Sequence, residues 1–174
     1  MGLMHNETLN TFYIRSTFRQ YLKLSDNYFL ASGIRAKISN NEFQPFYVKQ
    51  GLGYGNDYVR GYEYYVVDGI SYWVNKNNFK YELIEPHFKK LKFIKNEKFS
   101  MIHYALYLNL FGDLGYAYDY KPLGQLSNSL SNSLLYGYGI GIDLVTYYDK
   151  VLRIEYSFNK MHEKGFFINF VAPI

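Results

Sequence analysis

The chain has no cysteine, a single tryptophan and only four prolines among its 174 residues. The missing cysteine excludes a disulfide framework and a thiolate metal site. No apolar run approaches the ~20 residues that a membrane-spanning helix needs, which excludes a helical membrane protein. Charge of one sign is scarce as well. The formal net charge is +4, with no block of arginine and lysine dense enough to argue for nucleic acid as a partner. The four histidines, His5, His87, His103 and His162, are scattered without metal-ligand spacing. There is no nucleophile elbow and no phosphate loop, and the glycine-rich GYGIGID at 137–143 lacks both the spacing and the following helix of a dinucleotide site. No catalytic residue, metal or cofactor is expected. The opening MGLMHNETLN has no basic segment followed by an apolar core, so it does not read as a signal peptide.

Aromatic residues are abundant: 21 tyrosines and 14 phenylalanines. Aromatic and β-branched side chains pack well on a pleated surface. Tyrosine also suits a water–lipid boundary, with its apolar ring and wet hydroxyl. The dominant pattern is alternation with period two, in segments of about ten residues separated by turn-rich stretches. Seven segments read as strands: 11–22, 28–38, 78–84, 100–118, 134–148, 151–158 and 166–174. In the fourth, Ile102, Tyr104, Leu106, Leu108 and Leu110 share one face, and His103, Tyr107, Asn109 and Asp113 the other. In the fifth, Tyr136, Tyr138, Ile140, Ile142 and Leu144 oppose Gly137, Gly139, Gly141 and Asp143. These inner glycines leave room for an inserted loop or let the sheet bend. In the sixth, Leu152, Ile154, Tyr156 and Phe158 alternate with Arg153, Glu155 and Ser157.

Alternation alone is shared by two architectures. A soluble sandwich buries its apolar face between two sheets. A membrane barrel turns that face to lipid and its polar face to a wet lumen. Strand length and tyrosine placement favour the barrel, and a mean hydropathy below zero is compatible with it because only alternate residues meet lipid. The lysine cluster KKLKFIKNEK at 89–98 reads as a solvated turn, with contact to lipid phosphates as a second reading.

The long connection at about 39–76 contains YVRGYEYYVVDG at 58–69, flanked by EFQPFYVKQGLGYGND and GISYWVNKNNFKYELIEP. With these flanks, Val59-Arg60-Gly61-Tyr62 resembles the Val-Arg-Gly-(Phe/Tyr) motif of the BamA-like outer-membrane assembly factors, the bacterial surface antigen superfamily. Phe111-Gly112-Asp113-Leu114-Gly115 resembles its partner motif, Phe-x-Asp-x-Gly, and Glu82 matches an acidic residue on the strand between. The resemblance covers roughly residues 28–174 and is strongest from 58 onward. It implies a loop folded into the barrel lumen with Arg60 locked to Asp113 and Glu82, beside Phe111 and Gly115. Arginine held away from bulk water needs acidic partners, and its planar fork suits a carboxylate. The bland alternative leaves Arg60 a solvated loop residue and Asp113 a strand-end turn residue.

The final segment, with Phe166, Phe167, Ile168 and Phe170, resembles the C-terminal strand of outer-membrane barrels, although it ends in Ile174 where an aromatic is common. The resemblance implies an all-β fold: an antiparallel transmembrane β-barrel of about sixteen strands, of which residues 1–174 form the C-terminal part. The family's POTRA domains and signal peptide are absent from these residues. It implies a Gram-negative outer-membrane location, outer-membrane lipids and unfolded outer-membrane proteins as partners, and accessory lipoproteins. The activity implied is strand-templated insertion, in which a client strand pairs with an opened seam. A two-partner-type secretion pore is the alternative on the same scaffold. A passive structural barrel or a soluble β-rich binding module is the alternative of another class.

Overall fold

Residues whose side chains alternate between apolar and polar place them on opposite faces of an extended chain. Most of the chain adopts this form in the computed structural model, which describes residues 12–40, 47–90, 101–120, 128–146 and 150–171. The elements are β1 (Tyr13–Lys23), β2 (Tyr28–Ser39), β3 (Gln50–Leu52), β4 (Val67–Asp68), β5 (Ser71–Lys90), β6 (Met101–Tyr118), β7 (Leu134–Val145), β8 (Val151–Asn159) and β9 (Lys164–Val171). The described residues contain no helix. Seven strands form one antiparallel sheet in the order β1-β2-β5-β6-β7-β8-β9, and β3 pairs with β4 inside the β2–β5 connection.

The register assembles rows of side chains across the sheet. One inner-face row runs Arg19, Gly33, Lys76, Asp113, Gly137, Asn159. Another runs Glu82, Tyr107, Asp143, Arg153, Asn169. The face is concave, because inner residues of both edge strands, Thr17 and Arg19 on β1 and Asn169 on β9, line one cavity. The β3–β4 excursion packs onto it. Leu52, Val59, Tyr62 and Val67 from the excursion meet Tyr72, Val74, Ala117 and Leu135 from the sheet in one buried cluster. Burying side chains of this size stabilises by about 1.5–3 kcal/mol each.

The outer face is apolar and open. Leu110 and Leu114 on β6, Ile140 and Ile142 on β7, and Ile154 on β8 are exposed, and no second sheet covers them among the described residues. Leu106 and Leu108 are half-buried.

Two expectations need correction. The sheet is not a barrel, nor is it part of a sixteen-strand closure within this chain. It is an open seven-stranded sheet whose edge strands, β1 and β9, are not paired to each other. Bacterial barrels close with an even number of strands from eight upward, and 174 residues fall far short of sixteen strands. The loop therefore lies on the concave face of an open sheet, not in a closed lumen. The second correction concerns β5, which begins at Ser71 and not at 78, so the long connection is shorter than expected. The alternation at its start is hidden because the outer positions Asn75 and Asn77 are polar. They satisfy each other and their neighbours: Ser32 donates to Asn77 at 2.6 Å, Asn77 to Asn75 at 2.6 Å, and Asn75 to the Gly33 carbonyl at 3.1 Å. Most of the 89–98 lysine cluster, along with His5 and Ile174, lies outside the described residues.

Candidate functional site

The excursion reaches its deepest point at Val59-Arg60-Gly61-Tyr62. The Tyr62 amide donates to the Val59 carbonyl at 3.0 Å, closing a tight turn, and Gly61 takes φ 91°, a conformation that glycine adopts without a Cβ penalty. The turn aims Arg60 into the sheet, where it is buried. Its Nε and Nη2 donate to the two oxygens of Asp113 at 2.7 and 2.6 Å, a bidentate pair. Nη1 donates to Glu155 at 3.0 Å and to Asn78 at 2.7 Å, and Nη2 also reaches the Asn77 carbonyl at 3.2 Å. All five guanidinium N–H groups thus have acceptors. The Arg60 amide adds a bond to Asp113 at 3.2 Å, and the Phe111 ring lies 3.9 Å from the guanidinium carbon.

The sheet beneath is cut to fit. A Cβ on Gly115 would fall 2.5 Å from Val59 Cγ2, and one on Gly137 would strike the Arg60 carbonyl. Tyr62 is buried, and its hydroxyl accepts from the Lys160 amide at 3.2 Å. Around the rim, the β8–β9 turn grips the loop. Asn159 donates to the Gly61 carbonyl at 2.9 Å and to Glu163 at 2.9 Å, and Tyr65 donates to Glu163 at 2.8 Å. These bonds hold the Glu163 carboxyl below the ordinary range, Asn159 contributing most, and its bond raises the Tyr65 hydroxyl.

On the far side, Asp57 accepts from Arg35 at 2.6 Å and from Tyr72 at 2.5 Å. Burial acts to raise its pKa, but these two hydrogen bonds and the charges of Arg35 and Lys76 together lower it. Lys37, buried, donates to the carbonyls of Val48 and Gln50 at the start of the excursion. Burial raises the Glu63 carboxyl; one of its oxygens accepts from the Gly61 amide at 2.8 Å, and the other is buried without a partner among the described residues. A second charged group sits further along the face, where Asp143 takes a bidentate pair from Arg153 at 2.6 and 2.8 Å and a bond from Lys80 at 2.6 Å.

Of the residues singled out in the sequence, Val59, Arg60, Gly61, Tyr62, Asp113, Phe111 and Gly115 come together. Glu82 does not join them. It accepts from the Tyr107 hydroxyl at 3.2 Å, in a row six residues along β6 from Asp113, which is about 20 Å at strand rise. The second carboxylate on Arg60 is Glu155 of β8. Its signal was present in the sequence: Glu155 is an acidic inner-face residue opposite Gly141, where the missing side chain leaves it room. On β9, Phe166, Ile168 and Phe170 are exposed on the outer face, while Phe167 points inward with its ring 5.5 Å from that of Tyr64.

The arrangement fastens the excursion to the sheet. Both oxygens of Asp113 are committed to Arg60, and Asp143 is committed to Arg153 and Lys80. Among the described residues, no group of three His, Asp or Glu side chains has metal-binding geometry. In comparisons with known proteins, no family model, no curated protein and no solved structure matches this chain.

Proposed function

We propose that the chain acts in the outer membrane of a Gram-negative bacterium as a strand-templating element that helps other outer-membrane proteins to fold and insert. The observation that carries this reading is the sidedness of the sheet. Large apolar side chains are exposed on its outer face from β1 to β9, Phe18, Ile34, Phe79, Leu110, Ile142 and Ile168 among them, while the inner face holds a buried arginine–carboxylate network. Monomeric soluble proteins rarely expose contiguous apolar patches beyond a few hundred Å². Lipid is the medium that such a face fits, and the mutual hydrogen bonds of Ser32, Asn75 and Asn77 make their position on that face tolerable.

The edge strands supply the activity. An unpaired edge presents backbone donors and acceptors that template an incoming strand. β9 is the edge that the family resemblance singles out, with Phe166, Ile168 and Phe170 matching the apolar face that a client strand carries in lipid. The Arg60 network keeps the sheet curved and rigid while the edge exchanges partners. Unfolded outer-membrane proteins are the clients, and accessory lipoproteins the associated partners.

The test is client folding in liposomes. The full chain, reconstituted, should accelerate insertion of a small unfolded outer-membrane protein, read by heat-modified gel mobility. Ile168→Pro, which removes a backbone donor from β9, should abolish the acceleration. Equal rates with and without the wild-type chain, or equal rates for wild type and Ile168→Pro, would overturn the reading.

A further inference from the structure

The concave face encloses a cavity of about 590 Å³, and six cations line it: Arg19, Arg35, Arg60, Lys76, Lys80 and Arg153. Four carboxylates bind four of them. Asp113 and Glu155 hold Arg60, Asp143 holds Arg153 and Lys80, and Asp57 holds Arg35. Glu63, which Lys76 reaches electrostatically, makes a fifth carboxylate, so the six cations leave a formal excess of one positive charge. Its location is specific. Lys76 donates to the Asn56 carbonyl at 3.3 Å, lies 3.9 Å from the Tyr58 ring and makes no ion pair among the described residues; Asp57, Glu63, Asp113 and Glu155 act on it only at longer range. Arg19 has no hydrogen bond or ion pair among the described residues.

These two cations stand in one cross-strand row, with Gly33 between them. Neighbouring strands lie about 4.8 Å apart, so the two backbones are separated by roughly 10 Å and both side chains rise from the same face. The residue between has no side chain. The Arg19 stem leans over that glycine, its Cγ 3.5 Å from where a Cβ would stand, so Arg19 and Lys76 flank a shallow notch at the wall of the cavity. We propose that this notch binds a phosphate-type dianion between Arg19 and Lys76. The anion's negative charge complements the excess. The guanidinium fork suits two phosphate oxygens, and the ammonium acts as a compact point charge beside them. The cavity is larger than phosphate alone, so the group can be the head of a phosphorylated molecule, free or anchored in lipid. The site does not depend on any part in client insertion.

The test uses the full chain refolded in non-ionic detergent micelles. One arm titrates inorganic phosphate by calorimetry; the other titrates micelles doped with phosphatidic acid, with phosphatidylcholine as the uncharged-headgroup control. Arg19→Gln and Lys76→Gln should each weaken binding at least about tenfold, the loss expected for one charge-assisted hydrogen bond, and Lys76→Arg should retain it. Gly33→Glu should abolish it by placing a carboxylate between the two cations. A Cβ at position 33 would lie 3.5 Å from its nearest neighbours, an ordinary contact, so the sheet accepts the substitution. Trp73 fluorescence checks that each variant keeps its sheet, and if Gly33→Glu does not, the two glutamine variants decide. Preference for phosphatidic acid supports a lipid headgroup, and equal affinity for free phosphate supports a soluble phosphorylated ligand. Absence of saturable binding to either probe, or binding unchanged in the folded variants, overturns the site.

Discussion

Arg60 is worth more to the protein than any other cation on the concave face, because its removal strands two buried carboxylates. Breaking a buried, hydrogen-bonded ion pair by deleting one partner costs about 3–5 kcal/mol, mostly from the charge left behind. Arg60→Ala should lower stability by that amount, measured by urea unfolding with Trp73, the single tryptophan, as reporter. Arg19→Ala, at an exposed edge position, should change it by no more than about 0.5 kcal/mol. The two acids differ in the same way. Glu155→Gln weakens a charge-assisted bond inside the network and should cost about 1.5–3 kcal/mol, whereas Glu82→Gln touches only a tyrosine hydroxyl and should cost less than about 1 kcal/mol. Equal unfolding midpoints for Glu155→Gln and Glu82→Gln would contradict the geometry of the lock.

Two loop carboxylates give the excursion a pH profile with opposing limbs. Glu63 has a raised folded pKa, so its ionisation opposes docking; protection of the loop should rise as the pH falls through that value towards the ordinary glutamate range. Asp57 has a lowered folded pKa, so its contribution is present above the ordinary aspartate value and is lost as the pH falls through its folded value. Resistance of the excursion to an acid-stable protease should therefore pass through a maximum at roughly pH 4. Glu63→Gln should remove the rise, and Asp57→Asn should reduce the fall, Glu163 supplying the remainder. A monotonic profile in the wild type would contradict both assignments.

At the scale of elements, β7 is the strand whose composition is most tightly coupled to the loop. Gly137 lies under the Arg60 carbonyl, so Gly137→Ala forces the loop to lift, at an overpacking cost of about 1–3 kcal/mol, and should expose the excursion to proteolysis at neutral pH. Gly112, on the outer face, has nothing within 4 Å of where a Cβ would stand, so it should accept alanine without that effect. Strands with clean alternation, β6 to β8, were legible in the sequence because most inner residues are charged, small or polar and most outer ones apolar, the inner Phe111 and Leu135 being covered by the excursion. β5 was legible only over 78–84, in its middle, since the outer asparagines 75 and 77 break the pattern before it and are explained by partners on β2 that no local window contains. The pairing of Arg60 with Asp113 followed from a motif and from face parity. Its second acid did not follow, because choosing Glu155 over Glu82 requires the register of four strands.

For the whole molecule, the sequence pattern specified the faces but not closure. Alternation is the same in an open sheet and in a barrel, so the number of strands and the fate of the edges were not encoded in it. The seven strands pair in chain order, apart from the excursion, which makes the sheet itself a succession of local hairpins. The lock is different: Arg60 and Glu155 are 95 residues apart. Long-range contacts of this kind form after the hairpins that position them. Arg60→Ala should accordingly speed unfolding and leave the refolding rate of the sheet nearly unchanged in stopped-flow fluorescence. A matching slowdown of refolding would place the lock in the folding nucleus.

One consequence of the row geometry concerns quality control. The carboxylate acceptors for residue 60 come from β6 and β8, on either side of β7, and a slip of one residue in either pairing would rotate an acid to the outer face. The guanidinium can therefore dock only when three consecutive strands have been threaded in alignment. Its insertion works as a checksum on the assembled sheet: a mis-threaded chain keeps its excursion undocked, open to proteases, while a correctly aligned one withdraws it from view.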